Sequence, residues 1–283
     1  MNGAVQKEPK AVAASAADKR SVLSHLPALI HWVHYSLLPP IAFIFVSAAA
    51  WMLMAHTQHS LLVPGLRVIA LEVKRVVVTD GAFEQIGLTL ERIVLGCLLA
   101  FLVSLVAGIA AGRNRLLEAF LRPGIVLGLT IPGLVWALLC IIWFGVDWKA
   151  PVIALGLGVA PALTVNVIQG VRAVDYSLIE MAHIFRMKLP ARIWHLWLPA
   201  MAPFLLSGIR LALSLAWKVI VLVEIFGMSS GVGYQLNQEF SSQNVAGVLA
   251  WTIVFGAVMA VIEYGLIQAL ERRITRWRRV ASV

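Results

Sequence analysis

Residues 124–171 read GIVLGLTIPGLVWALLCIIWFGVDWKAPVIALGLGVAPALTVNVIQGV, and their only charged side chains are Asp147 and Lys149. Both charges sit in the short joint between two apolar runs, Gly124–Phe144 and Pro151–Val171. Each run approaches the roughly 20 apolar residues that a helix needs to cross a bilayer. Working outward, comparable runs cover Leu37–Met54, Gln85–Ala111, Ala200–Phe226 and Val245–Ile267. The whole chain is 60% hydrophobic and 13% charged. That charged share is half the roughly 25% of a soluble domain, too little to face water on all sides. The short alternating segments of an outer-membrane barrel are missing. The expected fold class is therefore all-α, a polytopic transmembrane bundle of about six spans.

The net charge of +9 does not point to nucleic acid, because the basic residues cluster between the spans, where they act as topology signals and headgroup contacts. One side would hold Lys7, Lys10, Lys19 and Arg20, then Arg113, Arg115 and Arg122, then Arg172, Arg186, Lys188 and Arg192, and finally Arg272, Arg273, Arg276, Arg278 and Arg279. The other has only Arg67, Lys74, Arg75 and Lys149. The bias predicts both termini in the cytosol. Trp143, Phe144, Trp148, Trp194, Trp197 and Trp277 fall at span ends, where amphipathic rings favour the interface.

Three divisions follow: a cytosolic tail with an interfacial segment over 1–36, a membrane domain over 37–270, and a basic cytosolic tail over 271–283. The stretch before the first span reads as a tail that is not cleaved. His25, His31 and His34 beside Trp32 and Tyr35 read as an interfacial amphipathic turn, and no metal site is expected. The external connection Ala55–Glu84 should hold a short helix over Leu66–Val78. Cys97 and Cys140 lie within apolar spans as packing residues.

The longest cytosolic connection, 172–199, exceeds what joins two neighbouring helices of a bundle. Ser177 and Glu180 form an S-x-x-E capping box, and Pro190 suits the first turn of a second short helix. Leu178, Met181, Ala182 and Phe185 recur at helical spacing and make an apolar stripe that needs a partner to cover it.

This loop resembles the coupling loop of ATP-binding-cassette importer permeases, whose pattern is Glu-Ala-Ala, three residues, Gly, nine residues, Ile, any residue, Leu-Pro. Glu180, Ala182, Leu198 and Pro199 stand at the matching positions, while Met181, Arg186 and Leu196 replace an Ala, the Gly and the Ile. The resemblance runs from about Thr89 to Trp277 and is nearest to the nitrate, sulfonate and taurine branch. Its pieces include Thr89, Leu90, Arg92 and Gly96; Pro132 and Trp143-Phe144-Gly145; Pro161, Asn166, Gly170-Val171-Arg172 and Val174-Asp175. Further along come Gly208, Arg210-Leu211-Ala212-Leu213, Ala216-Trp217, Glu224, Gly231, Gly233 and Tyr234. The segment IPGLVWALL lacks the further prolines of that branch.

The resemblance implies a type I permease fold in a bacterial inner membrane, a homodimer, two cytosolic ATPase subunits and a periplasmic or extracellular solute-binding protein. It also implies that Ser177–Pro199 docks the ATPase and that the cargo is a small anion such as a sulfonate, taurine or nitrate. A different small solute, such as an aromatic acid or a pyrimidine precursor, stays open. The chain has no G-x-x-x-x-G-K-[ST] loop, so ATP and Mg belong to the partner and no cofactor is expected here.

Ionisable groups at membrane depth are costly and mark function or pairing. Arg210, Ser214, Trp217 and Glu224 share one face of the fifth span, with Lys218 at its edge. Glu263 lies in the sixth span, near enough to the cytosolic end to meet Arg210 if the helices are antiparallel. Either these groups pair and hold the bundle, or Arg210 and Lys218 draw an anion into the pathway. An ion-coupled carrier should show repeated halves or broken paired helices, and an enzyme a convergent catalytic set. Neither pattern is legible, and no catalytic residue is expected.

Overall fold

A computed structural model of the protein describes residues 38–58 and 63–267, and every regular element among them is helical. The N-terminal tail with His25, His31 and His34, and the basic C-terminal tail with Trp277, lie outside the described residues. The chain divides into two units, Met1–Leu66 and Arg67–Val283. In the first, α1 (Leu38–Gln58) carries exposed Phe43, Ile44, Phe45 and Leu53, and Trp51 Nε1 donates to the Pro64 carbonyl at 3.0 Å.

The second unit begins with α2 (Leu66–Val78), where the sequence places an external helix, and α3 (Ala82–Arg113). It continues through α4 (Arg115–Thr130), α5 (Gly133–Phe144) and α6 (Lys149–Arg172). Two short helices follow, α7 (Tyr176–Ile184) and α8 (Leu189–Arg192), with a π-helical turn over Ile193–Trp197. Then come α9 (Leu198–Gly227), α10 (Val232–Ser241) and α11 (Val245–Ala260), which runs on as a π-helical segment over Val261–Ile267.

Among the described residues the six apolar runs fall in helices, but the third is not one straight span. α4 and α5 meet at 100°. The cause is local: Pro132 has no N–H to donate and holds Ile131 out of the helical region, at φ −67° and ψ 123°. The fifth run is likewise followed by a bend of 53° into α10, a helix absent from the expectation. Broken pairs are therefore present, and their absence cannot serve to exclude a carrier.

Large apolar side chains point outward all along these helices: Val106, Leu116, Phe120 and Ile142 are each more than 70% exposed. The contact of α3 with α6 is built from small residues on the α3 side. Gly96, Ala100, Ser104, Gly108 and Gly112 recur every fourth position on α3 and lie along α6. A Cβ at Gly108 would sit 2.6 Å from Val167 Cβ, and one at Gly112 would sit 2.8 Å from Val171 Cβ. Lipid tails are as apolar as leucine, so close backbone approach and interhelical hydrogen bonds must hold such a pair. Ser104 Oγ supplies one, donating at 2.8 Å to the Ala160 carbonyl of α6. α6 is the central helix, with Leu155, Val159, Leu163 and Val167 buried between α3 and its other neighbours.

Candidate functional site

The connection after α6 folds as two short helices joined by a tight turn. Asp175, not Ser177, caps α7: its carboxylate accepts from Ser177 N at 2.9 Å. The expected capping box therefore does not form, because an acidic cap two residues earlier satisfies the free N–H groups and the positive helix end together. The backbone N–H of Ser177, and then its hydroxyl, hold the Asp175 carboxyl below the ordinary aspartate range. Glu180 is thereby released from capping. It lines an open cleft of about 560 Å³ with Tyr176, Ile179, His183 and Ile184.

Ala182 is the buried residue of α7. Met181, Ile184 and Phe185 are exposed, as are Leu189 and Trp194 beyond the turn. The turn centres on Arg186, which adopts φ +48°. Its N–H donates to His183 O and that of Met187 to Ala182 O, both at 3.0 Å. This is the left-handed helix ending that glycine usually fills. Arg186 thus keeps the turn at the cost of an unfavourable backbone region. Arg192 fastens the second helix to it, donating from Nε to the Met187 carbonyl at 2.9 Å. Pro190 sits in the first turn of α8, and Leu198-Pro199 open α9. Leu198 is exposed and Pro199 half-buried.

The polar groups of α9 separate into two places. Arg210 and Ser214 line a cavity of about 300 Å³ with Leu206, Ser207, Leu211 and, from the π-helical segment, Glu263. Arg210 and Glu263, expected to meet if their helices are antiparallel, thus line one cavity. Trp217 is half-buried, with its ring edge-on to Phe255 at 6.5 Å, and the exposed Lys218 ammonium lies 5.8 Å from the Trp217 centroid.

Glu224 stands apart from them. It is fully enclosed and accepts from Arg92 at 2.6 Å, from Thr89 Oγ1 at 3.0 Å and from Gly233 N at 2.9 Å. Arg92 also donates to the Ser230 carbonyl at 2.8 Å and to its hydroxyl at 2.7 Å. Gln85 Oε1 receives Gly231 N, and Thr89 Oγ1 receives Val232 N. Gly231 adopts φ +102°, and a Cβ there would lie 2.4 Å from the Glu224 carboxyl, so both its backbone region and its space require glycine. This junction welds the α9–α10 bend to α3. Nearby, Arg75 of α2 pairs with Glu72 at 2.6 Å, with Asp80 at 3.6 Å and with Glu239 of α10. Charge reasoning along one helix face missed Arg92 as the partner of Glu224, because the partner lies on a different helix.

A family model described as the binding-protein-dependent transport system inner membrane component matches residues 101–276. The sequence is 34% identical over 212 residues to a putative aliphatic sulfonates transport permease of Bacillus subtilis, covering 74% of this chain and 76% of that one. It is 28% identical over 197 residues to the taurine transport system permease of Escherichia coli, covering 69% and 70%. It is 27% identical over 198 residues to the bicarbonate transport system permease of Synechococcus elongatus, again covering 69% and 70%. The fold is similar to a chain of the inward-facing MetNI methionine ABC transporter, with TM-score 0.51 and 17% identity, covering 70% of this chain and 94% of that one. The chain is not an enzyme but a membrane-embedded ABC importer permease, and it belongs to the binding-protein-dependent transport system inner membrane component family.

Proposed function

We propose that this permease admits a small oxyanion, a sulfonate, taurine or a nitrate-like anion, handed over by a solute-binding protein outside the membrane. The observation that carries this reading is that the relatives above are named for aliphatic sulfonates, taurine and bicarbonate, each of which bears an oxyanion group. The cavity around Arg210 supports it, with Ser207 and Ser214 as further donors. A fixed cation at low dielectric favours an anion more strongly than it does in water. Glu263 on the same cavity keeps that attraction weak enough for release. A ligand screen on the partner solute-binding protein tests the solute; selection of a neutral or cationic solute overturns it.

The working assembly in this reading is a homodimer with two cytosolic ATPase subunits, which bind the ATP and Mg, and with both termini of the permease in the cytosol. The ATPase docks on Ser177–Pro199, where α7 presents an uncovered apolar face beside the Glu180 cleft. The double variant Glu180→Ala, Phe185→Ala should lose ATPase retention or uncouple hydrolysis from uptake while the spans stay folded. Full transport with normal retention refutes the docking site. Lys218→Met should lower uptake without loss of assembly if that ammonium faces the pathway.

A further inference from the structure

Where α3 ends, α4 begins and α6 ends, a cavity of about 590 Å³ is lined by Gly112, Arg113, Arg115, Glu118 and Arg172. Three guanidinium groups face one carboxylate, so the cavity is positive. Glu118 pairs with Arg172. Arg113 lies 4.8 Å from the centroid of the Trp197 ring. Among the described residues, neither Arg113 nor Arg115 has a carboxylate at ion-pair distance.

Deeper along the same three helices runs an apolar groove of about 430 Å³, lined by Ala107 of α3, Leu121, Ile125 and Gly128 of α4, and Pro161 and Thr164 of α6, among others. The two cavities are in line. Glu118, Leu121, Ile125 and Gly128 follow three- and four-residue steps along α4, and Thr164, Ile168 and Arg172 do so along α6. From Leu121 to Ile131 the groove extends about 15 Å, at 1.5 Å per residue. Along it a Cβ at Gly128 would sit 2.4 Å from the Pro161 ring, so α4 and α6 approach closely there. A basic basin thus opens where the apolar helices stop, and an apolar slot leads from it along α4 and α6.

We propose that this pair of cavities is a binding site for one anionic phospholipid, with the phosphate among Arg113, Arg115 and Arg172 and an acyl chain in the α4–α6 groove. Basic pockets between transmembrane helices at the headgroup plane suit acidic lipids. The Trp197 ring marks that plane. Guanidinium groups can take phosphate oxygens through two N–H donors at once, and Arg172 now spends one of its nitrogens, Nη2, on Glu118. A soluble oxyanion would use the basin but gain nothing from the slot. A second copy of the chain would cover the slot but would need to bring an acid to the basin.

Native mass spectrometry of the assembled transporter, permease with its ATPase, tests the site by titration with phosphatidylglycerol, phosphatidylcholine or inorganic sulfate. Phosphatidylglycerol should be retained at least tenfold better than phosphatidylcholine. The variant Arg113→Gln, Arg115→Gln should weaken that retention roughly thirtyfold, at about one factor of five per basic residue near the surface. Gly124→Leu probes the other half. Gly124 lines the slot and a Cβ there meets nothing within 4 Å, so the backbone admits a side chain there and a leucine should occupy part of the groove. It too should reduce phosphatidylglycerol retention, with assembly unchanged. Equal retention of the two lipids overturns the proposal. So does sulfate competing while Gly124→Leu has no effect, which marks a soluble-anion site. If the arginine variant fails to assemble, Gly124→Leu decides alone.

Discussion

Glu224 offers the sharpest separation between a structural and a transport role. Replacing it with Ala leaves the Arg92 guanidinium, the Thr89 hydroxyl and Gly233 N without their acceptor, in a place where the carboxylate itself has no exposure. Breaking a buried ion pair from one side costs about 3–5 kcal/mol. That is a large part of the 5–15 kcal/mol that typically holds a domain together. For a chain of this size it lowers the unfolding midpoint by roughly 6–20 °C. Arg92→Met should cost less, because Arg92 is partly exposed and Glu224 keeps the Thr89 and Gly233 donors. The double variant Arg92→Met, Glu224→Met removes both charges and should recover about 1–3 kcal/mol relative to the sum of the singles. Thermal unfolding of the purified permease in detergent, read alongside uptake in vesicles, measures both effects. If Glu224→Ala abolishes uptake while the midpoint stays within 2 °C or so of wild type, the junction is not a structural weld and Glu224 belongs to the pathway.

The small-residue seam predicts a contrast between glycines: Gly108→Val should prevent assembly of the bundle, since even a Cβ falls 2.6 Å from Val167, whereas Gly256→Ala, with nothing within 4 Å, should be tolerated and gain about 0.5–1 kcal/mol. Arg186→Gly should stabilise the α7–α8 turn by about 1 kcal/mol through relief of the left-handed backbone, seen as slower hydrogen exchange over 176–192; faster exchange refutes the strain. The Asp175 cap has a depressed folded pKa, so its contribution is complete above the ordinary aspartate range and is lost as pH falls through the lowered value. Exchange in α7 should therefore rise in acid in the wild type, and Asp175→Asn should flatten that dependence.

The bundle was legible because bilayer thickness imposes long uncharged runs, and those survive any detail of packing. Leu66–Val78 was legible too, since its amphipathic spacing is local. The break at Ile131-Pro132 was written in the sequence, yet an unbroken apolar run over Gly124–Phe144 outweighed one proline. α10 was missed because Val232–Ser241 is short and polar, and only Val232, Leu236 and Glu239 at helical spacing hinted at it. The seam on α3 could have been found from the fourfold recurrence of Gly96, Ala100, Ser104, Gly108 and Gly112. The Arg92–Glu224 pair could not, since their separation in sequence is 132 residues and no local rule links them. In the loop, Ser177 obscured Asp175: the S-x-x-E spacing is a valid cap signal, but an acid two residues upstream also lies before the same apolar stripe.

The placement of the connection over 172–199, proposed above as the ATPase dock, bears on how two short helices could act on a membrane bundle. On one side α7 follows α6 after only Ala173–Asp175, and α6 is the most enclosed helix of the unit. On the other, α8, the π-helical turn and α9 continue without a non-helical residue from Leu189 to Gly227. The Arg192 bond to Met187 ties those two sides together at the turn. A load on Phe185 or Ile184 is therefore borne by α6 and α9, not absorbed by a slack connection. The far end of α9 is clamped to α3 by Glu224 and Arg92, and α3 is locked to α6 by its small-residue seam. The three helices form a closed loop of close contacts. Packed interiors transmit displacement because they have low compressibility. A movement of the loop must then turn this triangle as a body, and the bend at Pro132, which lies outside its sides, is the place where the chain can absorb the difference.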